Sequence, residues 1–283
     1  MKSLMTRRLA EAATSDDELI SSRPVQRFVL SSVYVAAPVV VLLVGWELVA
    51  RLGDLPAALF PPLGDIFSAL LRMAREGTLA TDVFETFKRL IQSIIVGTII
   101  GTIVGALMGY YRGWERSLVA PLNFLLAIPG TALFPLSMMW FGLTEAAIIS
   151  ILIYEVALTV IANTWTGVKS IDPAHIKAGR AFGVSGASLF WRVLFPSALP
   201  AIIAGYRLAF SRAWRILIVA EMLVSVAAGL GYRLYWSREL FQTDMVYAGL
   251  LVVGIVGLLF ERVVLRTLEI LTVQRWGTVR ELA

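Results

Sequence analysis

The chain has 283 residues, 58% of them hydrophobic and only 16% charged, with a net charge of +5. That charged share lies well below the ~25% of a soluble domain, and with a mean hydropathy of +0.78 it places the chain in a membrane. The absence of cysteine and the single histidine exclude a disulfide framework, a thiolate nucleophile and a multi-histidine metal centre. The positive charge reads as membrane-loop Lys and Arg, with no nucleic-acid partner.

In chain order, residues 1–28 mix Arg7, Arg8, Glu11, Asp16, Asp17, Glu18, Arg23 and Arg27 before any apolar run, which fits a cytoplasmic tail and no cleavable signal. A helix crossing the ~30 Å hydrocarbon core needs about 20 apolar residues. Six segments meet that length, at about 29–51, 89–110, 117–140, 145–165, 197–220 and 246–265, within a membrane domain of 29–270 and ahead of a tail over 271–283. The fold class is an all-α membrane protein. Between the first two spans, "LFPPLGDIFSALLRM" predicts a turn at Pro61 and Pro62, then an amphipathic helix with Ile66, Phe67, Leu70 and Leu71 on one side.

The second span carries Gly97, Gly101, Gly105 and Gly109, each four residues apart. On a helix this makes a slowly drifting stripe where another backbone can approach closely. It predicts packing within the chain, with a seam to a second chain as the alternative. The third span is interrupted by Pro129, Gly130 and Pro135. Irregular backbone at membrane depth needs protein or a water-filled cavity to cover it, so this segment lines a pathway or forms a packed kink.

After the fourth span, Asp172 and Pro173 form a helix start, with Asp capping free amides and Pro losing no needed donor. Gly183 fits the left-handed position that ends the helix, Ser185 can cap a second short helix, and Pro196 closes it and opens the fifth span. The loop 166–196 is therefore an elbow of two short helices outside the bilayer, a shape that can seat in a groove on another protein. Exposed first-turn His175 reads as solvated. "GVKS" at Gly167 to Ser170 lacks the frame of a phosphate-binding loop, so any ATP-driven engine belongs to another polypeptide.

The fifth span holds Arg207, Arg212 and Arg215. An arginine at a helix centre costs about 2.5–3.5 kcal/mol on insertion scales, so these face protein or water, and they can pair with acids, bind anions or snorkel. Glu155 of the fourth span reaches a depth similar to Arg207, which predicts a pair between them. Arg212 is the best candidate for contact with an anionic solute, and Glu221 reads as an interfacial residue. Trp140, Trp165, Trp214 and Trp236 fit interfacial or path-lining positions. No nucleophile–base pair or metal cluster is evident, so no catalytic residue is assigned.

Six spans put both termini on one side. That side carries 15 of the 25 Lys and Arg residues, against seven on the other and three within the fifth span. The bias favours cytoplasmic termini and a cytoplasmic elbow.

The elbow resembles the "EAA" signature of ABC-importer permeases: EAA, three residues, Gly, nine residues, Ile, one residue, Leu-Pro. The pattern falls on Lys177-Ala178-Gly179, then Gly183, Val193 and Phe195-Pro196, with Lys177 at the leading Glu and Gly179 at the second Ala. "PLNFLLAIPGTALFPLSMMWFG", "AGYRLAFSRAWRILIVAEML" and "GLGYRLYWSRELFQTD" extend the likeness to permeases for nitrate, sulfonate and taurine-like substrates, over about residues 55–270. The resemblance implies a type I importer fold in the bacterial inner membrane and a second permease chain, most simply a homodimer. It also implies two ATP-binding subunits that hold ATP and Mg, with no cofactor on this chain, and an extracytoplasmic substrate-binding protein. The elbow would dock on the ATPase. A carrier independent of ATP, or a structural membrane subunit, is the alternative.

Overall fold

The computed structural model describes residues 37–53, 56, 58–224 and 226–262. The predicted tails and the outer parts of the first and sixth spans lie outside these residues. The chain divides into two compact units after Ile66. In the first, residues 37–52 form helix α1. Trp46 of α1 stacks on Phe60 at 3.9 Å and donates its indole N–H to the Pro61 carbonyl at 3.1 Å. Glu47 accepts from the Leu63 amide at 2.9 Å, which caps the start of α2 (Leu63–Arg75). Within α2 the buried side chains are Ile66, Ala69 and Met73. Phe67 and Leu71 are exposed, so the apolar stripe differs from the one expected: it follows the 3–4 spacing of a helix face through Ala69 and Met73.

The second unit is a helical bundle. Among the described residues, four helical runs are long and apolar enough to cross a membrane: α3 (Thr78–Tyr110), α6 (Glu145–Lys169), the run Phe190–Leu223 and α11 (Thr243–Phe260). A further pair, α4 (Arg112–Ala127) with Gly130–Phe141, is bent by 85°. Pro129 sits at the bend with an extended ψ of 131°, after Ile128 with a ψ of 116°. Proline lacks the amide the helix needs there, so the chain breaks and restarts as a short 3₁₀ turn (Gly130–Leu133). Pro135 causes no break. It lies in the first turn of α5 (Phe134–Phe141), where a missing donor is harmless.

Helix α3 begins 11 residues before the expected 89 and is 33 residues long. At 1.5 Å per residue it extends about 50 Å, beyond the ~30 Å core. Its glycine stripe faces α6. An added Cβ would lie 2.7 Å from Val156 at Gly97, 2.6 Å from Val160 at Gly101, 2.7 Å from the Ile161 carbonyl at Gly105, and 2.5 Å from Val168 at Gly109. Numbering rises together along both helices, so α3 and α6 run parallel. Helix α9 (Phe195–Leu223) runs antiparallel to α6 and uses the same device: a Cβ on Gly205 would lie 2.6 Å from Asn163, and one on Gly167 2.6 Å from Ala201. Leu90, Leu152, Val156, Val160, Ala213 and Leu217 fill the space between α3, α6 and α9. Helix α10 (Leu230–Glu239) lies across the end of the bundle reached by the C-terminus of α9. The elbow lies at the opposite end.

Candidate functional site

The elbow forms as its residue types dictate. Asp172 accepts a hydrogen bond from the Ala174 amide at 2.8 Å and caps α7 (Pro173–Ala181). Gly183 adopts a φ of 77°, with its amide donating to Arg180 O at 2.9 Å and the Val184 amide donating to Gly179 O at 3.0 Å. These bonds satisfy the last carbonyls of α7. Gly186 is a second left-handed glycine, φ 56°, which places the following turn α8 (Gly186–Leu189). At its start the Ser185 carbonyl accepts from Leu189 N at 3.3 Å. The second arm does not stop at Pro196. A π-turn, Phe190–Leu194, carries it straight into α9, and Pro196 lies in the first turn of that helix. The elbow is thus one short helix folded against an extension of α9.

Gly179, where the motif has alanine, is buried. A Cβ there would come within 3.0 Å of Val193 and 3.1 Å of Leu189, so glycine lets the two arms close on each other. Lys177, Ala178 and His175 are exposed, as are Phe182 at 85% and Trp191 at 64%. Val168, Ile171, Leu194, Ala198 and Ile202 root the elbow in the bundle. The Tyr110 hydroxyl, at the end of α3, donates to the Gly186 carbonyl at 3.4 Å. Lys169 pairs with Glu115 of α4 beside it.

About halfway along the bundle, the three arginines of α9 meet different partners from those expected. Glu155 pairs with Arg212, Oε1 to Nη1 at 3.6 Å, and Arg207 reaches Glu261 at 3.5 Å. The expected Glu155–Arg207 pair is corrected by this geometry. The bend after α4 brings Gly130 next to Glu155, and of the α9 arginines it is Arg212 that reaches this carboxylate. Arg215 is exposed and donates Nε to Ser211 O, one turn back, at 3.1 Å. Arg207, Ser211 and Arg215 recur every four residues, and Arg212 lies about 140° round the helix from Arg207, so the polar face of α9 is a broad sector that also carries exposed Leu208 and Val219, not one narrow stripe. Pro129 and Pro135 are exposed at the bend, whereas Gly130 is buried with its Cβ position 3.0 Å from Glu155 Oε2.

The opposite end holds a charged cluster that the sequence alone does not announce. Glu221 is fully buried, not interfacial. It accepts from Arg89 Nη1 at 2.7 Å, from Thr86 Oγ1 at 3.0 Å and from the Gly231 amide at 2.9 Å. Arg89 also donates to Ala228 O at 2.8 Å and to Glu145 at 2.9 Å. Asp82 accepts from the Gly229 amide at 3.0 Å and from Arg233 Nε at 2.8 Å, and Thr86 Oγ1 accepts from the Leu230 amide at 2.9 Å. Two buried carboxylates therefore hold the first amides of α10. A Cβ on Gly229, φ 147°, would lie 2.7 Å from the Glu221 carboxylate, so the backbone approach requires glycine. A signal for the cluster is nonetheless present: Asp82, Thr86, Arg89 and Ser93 continue the spacing of the glycine stripe and lie buried on the same α3 face. Starting the second span at residue 89 hides that continuity.

Residues 97–267 match the family described as "Binding-protein-dependent transport system inner membrane component". The chain is 34% identical over 234 residues to SsuC of Escherichia coli (strain K12), described as an aliphatic sulfonates transport permease, covering 83% of this chain and 88% of that one. The chain belongs to the binding-protein-dependent transport system inner membrane components. The taurine transport system permease TauC of the same organism is 30% identical over 226 residues, covering 78% of this permease and 82% of TauC. In fold, the permease is similar to a chain of the MetNI methionine ABC transporter in inward facing conformations, with a TM-score of 0.51 and 22% identity over 64% of this chain and 93% of that one. It is also similar to a chain of an amino acid ABC transporter, with a TM-score of 0.54 and 16% identity over 73% and 98%. The protein is a membrane-spanning ABC importer permease, and its folded bundle is of that type.

Proposed function

We propose that this permease carries a small oxyanion, of the sulfonate or taurine kind, through the membrane in a complex driven by a separate ATPase. The elbow is the ATPase contact: Asp172 and Pro173 start it, Lys177, Ala178 and Gly179 lie on its first arm, Gly183 turns it and Pro196 joins it to α9. The observation that carries this reading is a capped elbow presenting Phe182 at 85% and Trp191 at 64% exposure while rooted in the same helix that bears Arg212. Exposed aromatics on an ordered elbow favour a protein partner over solvent. The elbow end is cytoplasmic, both termini lie on that side of the inner membrane, and two ATP-binding subunits supply ATP and Mg. The solute crosses between two copies of this chain after delivery by a binding protein. The polar face of α9 and the bend at Pro129, Gly130 and Pro135 line the route, because a guanidinium facing lipid is costly.

Gly183→Val tests the coupling. The space around Gly183 is open, yet its φ of 77° disfavours a side chain by about 1 kcal/mol or more, and a β-branched one most. The variant inserts and folds but loses ATPase co-purification and solute uptake. Normal uptake with normal ATPase stimulation would remove the elbow from the coupling role.

A further inference from the structure

Two ion pairs in the bundle differ in kind. Arg89 and Glu221 touch at 2.7 Å with side chains 2% and 0% exposed, further held by Thr86, Glu145 and backbone groups. Arg212 and Glu155 stand 3.6 Å apart, beyond hydrogen-bond length, with side chains 43% and 15% exposed. The first pair is shut and structural. The second is open, loose and formed on the polar face of α9.

Glu155 is the more enclosed member of the pair, its side chain 15% exposed against 43% for Arg212. Gly130, at the helix bend, leaves its Cβ position only 3.0 Å from Glu155 Oε2, with Ile216 and Ile151 also close to that position. The longer, half-exposed Arg212 side chain is thus the one with more room to swing. An oxyanion that makes paired N–H bonds to a guanidinium is a stronger partner than a carboxylate held at 3.6 Å, since loose, solvated ion pairs are weak.

We propose that Glu155 is a built-in counter-anion for Arg212: it holds the guanidinium while the path is empty, an anionic solute draws the guanidinium away, and re-forming of the pair ejects the solute. The proposal rests on the reading that Arg212 faces the solute. It assigns Glu155 a role in release, and so in keeping the permease site weak. A site that bound the anion tightly would trap it halfway.

The test uses the permease–ATPase complex in nanodiscs, without binding protein, and measures retention of labelled ethanesulfonate by equilibrium dialysis. Glu155→Gln removes the competitor and should raise affinity by about two- to fivefold, the range a loose, partly exposed pair supplies. In proteoliposomes with saturating binding protein, the same variant should turn over more slowly, because release is lost. Glu155→Asp keeps the charge and should bind close to wild type, whereas a merely structural role would move both variants together. Equal retention by wild type and Glu155→Gln, measurable or not, overturns the counter-anion while leaving the anion reading intact if Arg212→Gln still abolishes uptake. A gain that persists in the Glu155→Gln, Arg212→Gln double variant overturns both, because Arg212 is then not the anion's ligand.

Discussion

At the scale of single residues, burial separates the charges that hold the permease together from those placed to act. Glu221, fully buried among Arg89, Thr86 and the Gly231 amide, is satisfied on both oxygens. Removing one partner of such a pair strands the other, at a cost of about 3–5 kcal/mol. Glu221→Gln and Arg89→Gln should each lower the thermal midpoint of the purified permease in detergent, and the double variant should lose clearly less than the sum. Strict additivity would show that the two side chains do not act together. None of this was legible residue by residue, because a Glu and an Arg near span ends read equally well as interfacial groups. Arg212 and Glu155 were each recognisable as intramembrane charges. Their pairing was not, because partner choice among three arginines depends on how α6 and α9 are set against each other, which neither span reveals alone. The elbow was the reverse case. Asp172, Pro173 and Gly183 are fixed by local backbone chemistry, and the structure has them where that chemistry put them.

At the scale of elements, α3 is a single helix with one continuous inward face, charged and polar at one end and glycine along the rest. The glycine part was legible because a four-residue glycine repeat gives up helix propensity at every step, and close backbone packing in lipid is what offsets that loss. The helix start was not, because Asp82, Glu85, Lys88 and Arg89 depress hydropathy just where the helix continues. The same limit hid the π-turn: Pro196 reads as a stop because a proline inside a helix loses its backbone bond and crowds the carbonyl one turn back, and the wider turn Phe190–Leu194 stands just where the continuing run meets that proline. Packing between α3 and α6 is close enough to test with one methyl group. Gly101→Ala sets a Cβ 2.6 Å from Val160 and 2.9 Å from the Ala157 carbonyl, so it should destabilise by about 1–3 kcal/mol, seen as a lower thermal midpoint. Gly254→Ala, with no atom within 4 Å of the new Cβ, should match or slightly exceed wild type, since alanine is the better helix former. A Gly101→Ala variant as stable as Gly254→Ala would mean that α3 and α6 stand further apart.

At the scale of the whole bundle, α9 is the element that joins the three functional levels. Its first turn continues the elbow, its middle carries the polar face, and its last turn ends at the Glu221 cluster, which ties it to α3, α6 and α10. Arg212 lies about 25 Å along the helix from Phe195 and about 14 Å short of Glu221. A helix anchored at one end and pulled at the other tilts, and side chains between the two ends are displaced relative to α6, which carries Glu155. The Arg212–Glu155 contact is therefore placed where motion of the elbow would open or close it. Lysine tests whether the guanidinium itself matters, because an ammonium keeps the charge but loses the planar pair of donors. Losing one charge-assisted hydrogen bond, at about 1.5 kcal/mol, corresponds to roughly tenfold. Arg212→Lys should slow ATP-driven uptake of ethanesulfonate into proteoliposomes by about that factor, with binding of the solute to the separate binding protein unchanged. Arg215→Lys should change uptake far less, because its Nε is engaged by Ser211 O on its own helix. Full activity for Arg212→Ala, or transport of uncharged and cationic analogues at the same rate, would show that α9's arginines serve structure alone and that anion selection lies elsewhere in the importer.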